Sequence, residues 1–546
     1  MQSSTTYNRQ YAAVLLLLLL VSGWLGREVY MRLILPAAPL NFDEAAHSLP
    51  AWYLLRDMRN LDWRAFRGDF HIQMLWPPMF SLLQMPFLAL LGHSDESARI
   101  FAYICLVLAV LMGCAIARRV TQGVSPELAP MAALVSGLLA LSSPGWLFVG
   151  SWANQETPVA LVVFVVFWLF LKALDTRKPI WFAATSLGLY ALFLTKYNYA
   201  AFALAAVGLI DFVERIKELR KSTTAKFLHS QFFILNFILL YLPLALGVLY
   251  WFFGATDIEM ARPEEKWKHF RFFVTNEDTG YPFWSEQNLL FYVRAAANWL
   301  MPNIVWFVAS LVGAGYAVVR VRHAGVRLLV VFFGLGFVLA TVHQLKAERY
   351  IAPLFPSLWL LAGLGYAEFV RRQRSSRIFM SSVIFCLIAL NSILGSLPRL
   401  QPVWAGDVAK STRFAAQRIV NWQDGNKPVL IIGTFGELSP PLFEWRLRPL
   451  PVFAAHGNIQ YDAPPGEGTD LERVQRWATQ NPGTQITLIK IEPDSPLFNT
   501  DDMQKKNLWR QKLVSEFEAN HESLGYRLTD SKTYPAGVSV SFYLPQ

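Results

Sequence analysis

Residues 98–119 read ARIFAYICLVLAVLMGCAIARR. From Ile100 to Ala117 no side chain carries a charge, and the run closes on Arg118-Arg119. About 20 apolar residues in helical form cross the roughly 30 Å hydrocarbon core of a bilayer. Such runs recur along a chain of 546 residues that is 54% hydrophobic and only 16% charged. Soluble chains carry roughly 25% charge and lack these runs, so the bilayer is the solvent for most of this one. The run Tyr11 to Gly26 has the look of a signal-peptide core, but no small-residue cleavage site follows it, and it reads as a retained first helix.

Cys105, Cys114 and Cys386 all lie in apolar runs, where cysteine behaves as a small hydrophobe, and the first two are too far apart on one helix to bridge. No disulfide framework or cysteine zinc site follows. The net charge of +10 comes in short clusters between apolar runs, which is the pattern of membrane topology and excludes a nucleic-acid groove.

Loops rich in Lys and Arg mark the cytoplasmic side. They are Arg118-Arg119, Lys172 to Lys178, Arg215 to Lys226, Arg320 to Arg327 and Arg371 to Arg377. Between them fall Asn41 to Asp69, Ser151 to Thr157, Thr195 to Tyr199, Thr256 to Asn298, His343 to Tyr350 and the tail after Leu397. The alternation gives about eleven spans, near 12–35, 98–117, 128–149, 158–174, 180–195, 199–213, 230–253, 301–319, 328–343, 351–369 and 378–396. The N-terminus is then cytoplasmic and the tail lies outside. Counting Met74 to Leu91 as a crossing would break the alternation, and Pro77-Pro78 and Pro86 would leave backbone groups unsatisfied in lipid, so this segment is read as helices on the outer face.

The composition divides the chain into a membrane domain, 1–397, and a soluble α/β domain, 398–546. In the latter, Val429 to Gly433, Gln485 to Ile491 and Val538 to Leu544 read as strands, and Asp470 to Thr479 and Met503 to Ala519 as amphipathic helices.

Charge at membrane depth costs about 2.5–3.5 kcal/mol on insertion scales, so its placement is informative. Four groups gather at outer helix ends. In Asn41-Phe42-Asp43-Glu44-Ala45-Ala46-His47, Asp43 reads either as an N-cap with Glu44 complementing the helix dipole, or as a base at the membrane surface with His47 one turn away. In Trp152 to Pro158, Glu156 before Pro158 fits an ordinary helix start as well as a functional group. Lys196 in Thr195-Lys196-Tyr197 either snorkels or serves a site. Lys346 and Arg349, two cations in an outside loop, call for an anion, and a lipid phosphate fits, with Arg349 able to bind it bidentately.

In order, these groups resemble the protein O-mannosyltransferase-like superfamily of GT-C glycosyltransferases, which includes family 39 and the lipid A aminoarabinose transferases. The resemblance rests on Asp43-Glu44-Ala45, Pro77-Pro78-Met79 with Gly92 and Arg99, Glu156-Thr157-Pro158-Val159, Leu194-Thr195-Lys196 and Arg349-Tyr350-Ile351-Ala352-Pro353-Leu354, spanning about residues 12 to 370. One departure stands out: Trp76 precedes the Pro pair where the family has His or Lys. That residue helps line the site in relatives, so the acceptor or any metal site differs here.

The resemblance implies a polytopic GT-C-like membrane enzyme of the bacterial inner membrane, with outer juxtamembrane helices and a periplasmic tail. It would use a polyprenyl-phosphate sugar donor and a lipid, glycan or protein acceptor, with inversion. Asp43 is expected as the general base, Glu156 and Glu44 as supporting acids, and Arg349, Lys346, Lys196 and Arg99 as ligands of the donor phosphate. No cofactor is required. A divalent metal remains open, with His47, His71 and His269 as candidate ligands, though no His-x₃-His spacing supports it. Two rivals are a transporter or flippase of lipid-linked sugars, disfavoured by rim-located charge and the lack of inverted repeats, and a ligase using a pyrophosphate-linked oligosaccharide.

Overall fold

The computed structural model describes residues 2–73, 77–221, 226–275, 284–343, 346–372, 375–400, 406–423, 427–435, 438–447, 459–464, 466–493, 495 and 501–546. It divides into two compact units, Met1–Met31 with Pro50–Leu400 and Arg32–Leu49 with Gln401–Gln546. Residues 32–49, which the sequence assigns to the membrane domain, thus group with the tail.

Helix α1 (Gln2–Val29) passes through a π-helical turn, Tyr30–Ile34, and is followed by α2 (Phe42–Arg59), α3 (Trp63–His71) and α4 (Met79–Leu91). The middle of the membrane unit holds α5 (Asp95–Gln122), α6 (Ala129–Leu141), α7 (Pro144–Val149), α8 (Glu156–Thr176), α9 (Pro179–Phe193) and α10 (Tyr197–Lys221). Its last part holds α11 (Lys226–Phe253), α12 (Pro263–Thr275), α13 (Glu286–Ala295), α14 (Ile304–Arg320), α15 (Ala324–Val342), α16 (Phe355–Arg371) and α17 (Ser375–Ser396).

Among the described residues six helices are long and apolar enough to cross a membrane, or seven when the pair Glu286–Leu300 and Ile304–Arg320, bent by 108°, is one span. The chain is a multi-pass membrane protein. Each expected stretch falls on helix, but several miss the length or composition of a straight span for visible reasons. Stretch 128–149 is split into α6 and α7 at Ser142-Ser143, where Ser143 caps the helix opened by Pro144. Helix α9 has 15 residues, or roughly 22 Å at 1.5 Å per residue. The C-terminal part of α10 carries Asp211, Glu214, Arg215, Lys217 and Glu218. Helix α4, with 13 residues and Pro86 inside it, reaches only roughly 20 Å, short of a crossing.

Packing fixes the helix ends that carry the charged groups. Helix α5 starts on an N-cap, with Ser94 accepting from Ser97 N at 3.0 Å. Thr157 Oγ1 donates to Ala102 O at 2.9 Å, tying the first turn of α8 to α5. Met79 N donates to Leu194 O at 2.8 Å, tying the start of α4 to the end of α9. Helix α16 is buried along most of its length and contacts α14 and α6 at small residues: a Cβ on Gly365 would collide with Gly313 O, and one on Gly363 would lie 2.6 Å from Ala132 O. Such close backbone approach is how membrane helices gain van der Waals contact where lipid offers no hydrophobic drive.

The second unit contains α18 (Gly406–Trp422), α19 (Pro440–Leu447), α20 (Asp470–Gln480) and α21 (Asp501–Asn520). They accompany a five-stranded sheet of β1 (Val429–Ile432), β2 (Ile459–Tyr461), β3 (Gln485–Ile491), β4 (Tyr526–Tyr534) and β5 (Val538–Pro545), ordered β2-β1-β3-β5-β4. Strand β1 pairs in parallel with β2 and β3, and β5 runs antiparallel to β3 and β4. Leu430, Ile432, Ile486, Leu488, Leu513, Val514 and Phe517 form its core. In the same unit Arg413 of α18 donates to Leu35 O at 2.9 Å and also to Ala37 O.

Candidate active site

Three of the four charged groups singled out in the sequence supply residues that meet. Lys196 Nζ donates to Glu156 Oε1 at 3.1 Å, and Arg349 Nε stands 3.9 Å from the same oxygen. The Glu156 side chain is 1% exposed, against 19% for Lys196 and 23% for Arg349. Each sits at a helix boundary: Glu156 opens α8, Lys196 follows the end of α9, and Arg349 lies in the 3₁₀ turn Glu348–Leu354 that enters α16. Lys196 therefore does not snorkel, and Glu156 does more than start a helix. Aromatic rings flank both cations. Lys196 lies 5.3 Å from the Tyr350 ring centroid and 5.7 Å from that of Tyr199. Arg349 lies 5.6 Å from Tyr350 and 5.9 Å from Trp152. The buried Tyr199 hydroxyl donates to Tyr350 O, locking the Arg349 turn against α10.

Glu156 Oε2, Asn154 Nδ2 and Gln155 Nε2 are buried and have no hydrogen-bond partner among the described residues. Neither amide nor any of the three aromatic residues was singled out by type in the sequence, although Trp152 to Gln155 lie in a segment it flagged.

Lys346 lies at the end of α15. Its ammonium donates to Ala340 O at 2.9 Å and Thr341 O at 2.7 Å, capping the C-terminus of α15, and lies 4.9 Å from the Tyr292 ring centroid. Burial pushes its pKa down to about 8. Arg99, 5% exposed, occupies the first turn of α5, one turn before Ala102.

In the second unit the N-cap of α2 is Asn41, not Asp43. Asn41 Oδ1 accepts from Glu44 N at 2.9 Å and Glu44 Oε2 accepts from Asn41 N at 3.2 Å, a reciprocal capping box. Glu44, 1% exposed, is thereby held in a structural bond, and the capping explanation for Asp43 falls away. Asp43 is half-buried and His47 buried on the same helix.

The metal candidates are not brought together. Among the described residues no group of three or more His, Cys, Asp or Glu has a metal-binding arrangement. His71 of α3 is stacked on Trp251 at 5.4 Å, and its Nδ1 lies 3.2 Å from Lys266 Nζ, which also donates to Trp251 O. Burial first, then Lys266, pushes the His71 pKa down to about 4. A cation facing the ring nitrogen makes this a latch between α3 and α11–α12, which the Arg67–Asp257 pair (2.7 Å) extends. The His269 side chain and Trp76 lie outside the described residues. Nearby, Arg56 pairs with Asp57 (2.8 Å) and Asp69 (3.4 Å), and burial, then a hydrogen bond with Asp57, pushes the Asp69 carboxyl up to about 7.

Residues 76–251, which carry Glu156 and Lys196, match the family model described as dolichyl-phosphate-mannose-protein mannosyltransferase. That match covers about a third of the chain, and the solved structures below are similar to nearly all of it. ArnT from Cupriavidus metallidurans, solved bound to undecaprenyl phosphate, aligns over 98% of this chain and 98% of its own, with a TM-score of 0.57 and 14% identity. The Archaeoglobus fulgidus oligosaccharyltransferase tethered with an acceptor peptide aligns over 97% of this chain and 74% of its own, with a TM-score of 0.52 and 11% identity. Arabinofuranosyltransferase AftD from Mycobacteria covers 96% of this chain over 41% of its own, with a TM-score of 0.51 and 13% identity. At such identities the structural likeness establishes the fold. No curated protein sequence matches the chain significantly.

Proposed function

We propose that the chain transfers a sugar from a polyprenyl-phosphate donor to an acceptor hydroxyl on the outer face of a bacterial inner membrane, with inversion at the anomeric carbon. The observation that carries this reading is the meeting of Lys196 and Arg349 on Glu156. Lys196 and Arg349 can offer charge-assisted hydrogen bonds to the phosphodiester of such a donor. In the reaction the acceptor oxygen forms a bond to the anomeric carbon, the bond from that carbon to the phosphate oxygen breaks, and polyprenyl phosphate departs with one more negative charge. Lys196 and Arg349 stabilise that growing charge. The acceptor proton goes to a general base, assigned to Asp43, whose carboxylate does not serve as the N-cap of α2.

ArnT was solved with undecaprenyl phosphate and the archaeal enzyme with an acceptor peptide, which supports a lipid-phosphate donor and leaves lipid, glycan and protein acceptors all within reach. The basic loops of the sequence support a cytoplasmic N-terminus and a periplasmic tail.

The test is transfer of radiolabelled sugar from a polyprenyl-phosphate donor by purified protein, with Arg349→Ala alongside. Loss of one charge-assisted contact is expected to weaken donor binding by about ten-fold or more with the fold kept, and Arg349→Lys to restore only part, since it offers a point charge for a planar fork. Unchanged donor affinity in Arg349→Ala would remove this cluster from the donor site.

A further inference from the structure

We infer that Asn154 and Gln155 read the sugar of the donor, by carboxamide hydrogen bonds to its hydroxyls. This rests on the lipid-phosphate reading above and names the part of the site that the cations do not serve. Asn154, Gln155 and Glu156 are consecutive and 3%, 2% and 1% exposed. Each carries a buried polar atom that no described protein atom meets: Asn154 Nδ2, Gln155 Nε2 and Glu156 Oε2.

The local geometry explains why these atoms are available. Asn154 Oδ1 accepts from Gln155 N at 3.0 Å, which fixes the carboxamide and commits its oxygen, leaving the NH₂ as the unused end. Gln155 is the N-cap residue of α8, yet its side chain makes no capping bond. The position normally selects Ser, Thr, Asp or Asn to serve the helix. A Gln that does no work for the helix, and is buried, is costly: each unsatisfied buried group costs about 1–3 kcal/mol.

The chemistry of the three atoms defines what satisfies them. Two neutral NH₂ donors and one carboxylate oxygen match a polyol, whose hydroxyls accept from the amides and donate to the carboxylate. A phosphate would draw on Lys196 and Arg349, for which charge is the recognition element. The Trp152 ring, beside Arg349, supplies an apolar face for the sugar ring. A hydroxyl-reading site discriminates strongly, because the wrong sugar leaves the buried amides unpaired.

The experiment compares three probes on the purified full chain: undecaprenyl phosphate, undecaprenyl phosphoglucose and undecaprenyl phosphomannose. The quantity read is the ratio of affinity for a sugar-linked lipid to that for the bare lipid phosphate, with thermal unfolding of the free protein measured in parallel. Gln155→Met keeps shape and removes the unpaired amide, and Asn154→Leu does the same for its neighbour. In Gln155→Met the ratio for the preferred sugar should fall by about ten-fold, with bare-lipid affinity held within about two-fold and the unfolding temperature unchanged or raised. A ratio equal to wild type in both variants, whether or not the unfolding temperature falls, would overturn the inference while leaving the lipid-phosphate site standing. Parallel loss of affinity for bare and sugar-linked lipid would also overturn it, making the pair a support of the phosphate site. Wild-type protein that binds none of the three probes would overturn the donor assignment itself and this inference with it.

Discussion

Each unit of the molecule contains a buried carboxylate beside a guanidinium, and the two are finished differently. In the C-terminal unit Asp462 follows β2, and its Oδ1 accepts from Gly433 N (2.8 Å) and Thr434 N (3.1 Å). Its Oδ2 accepts from Thr434 Oγ1 (2.6 Å) and pairs with Arg510 (3.1 Å). Those bonds hold the turn after β1, where Gly433 has φ +86° and passes so close to Ile489 O that a Cβ would collide with it. Every lone pair has structural work. In the membrane unit Glu156 crowds both cations onto Oε1 and leaves Oε2 bare, as are the amides of the two residues before it. The saturated carboxylate holds a fold together, and on the proposed function the unsaturated one, kept at a cost, holds a place for a substrate.

The widest separation between the two kinds is expected in rate. Asp43→Asn, measured as sugar transfer from a polyprenyl-phosphate donor, should lose roughly 10²–10⁴ with thermal unfolding unchanged if Asp43 is the base. Glu44→Gln keeps an acceptor for the capping box with Asn41 and should cost at most about 1 kcal/mol of stability with transfer largely kept. Full activity in Asp43→Asn would return that residue to the structural class.

Asp462→Asn should act in the opposite sense. It keeps the acceptor for Gly433 and Thr434 but turns a donor toward Arg510, so a stability loss of about 1–3 kcal/mol is expected, with no rate loss per folded molecule. Undiminished stability would mean the saturated geometry carries little energy, and would blur the contrast.

The smallest effect concerns Asp69, whose carboxyl is raised from 3.8 to about 7. A folded state that holds its proton more tightly than the unfolded chain loses stability as pH rises between those two values. The unfolding temperature should therefore fall from pH 5 to pH 8, and Asp69→Asn should flatten that slope. An equal slope in the variant would assign it to other groups.

Much of this was readable before the structure, and the exceptions have physical causes. The apolar runs located the helices, and β1, β3 and β5 announced themselves because both faces are largely buried. Strand β2 is three residues long, and β4, YRLTDSKTY, is an edge strand exposed along most of its length, so neither leaves a hydrophobic pattern. Glu156, Lys196 and Arg349 were each flagged by outer charge, but their meeting was not, because Glu156 and Lys196 are 40 residues apart and Arg349 lies far beyond. The bonds from Lys346 to the α15 carbonyls were not legible, because its spacing to them appears only once the helix end is placed. The cap on α2 had a usable signal: Asn41 with Glu44 three residues on is the capping-box pattern, and it assigns the cap away from Asp43.

The most direct measurement sets the two carboxylates side by side: Glu156→Gln and Asp462→Asn, purified as full chains, assayed for sugar transfer and thermal unfolding in the same preparation. Glu156→Gln should lose activity by about 10² or more, because it unbalances the charge on Lys196 and Arg349 and removes the acceptor at Oε2, and its unfolding temperature should hold. Asp462→Asn should show the reverse. Wild-type transfer in Glu156→Gln, or a loss of activity that only tracks a loss of fold, would contradict a substrate site at Glu156.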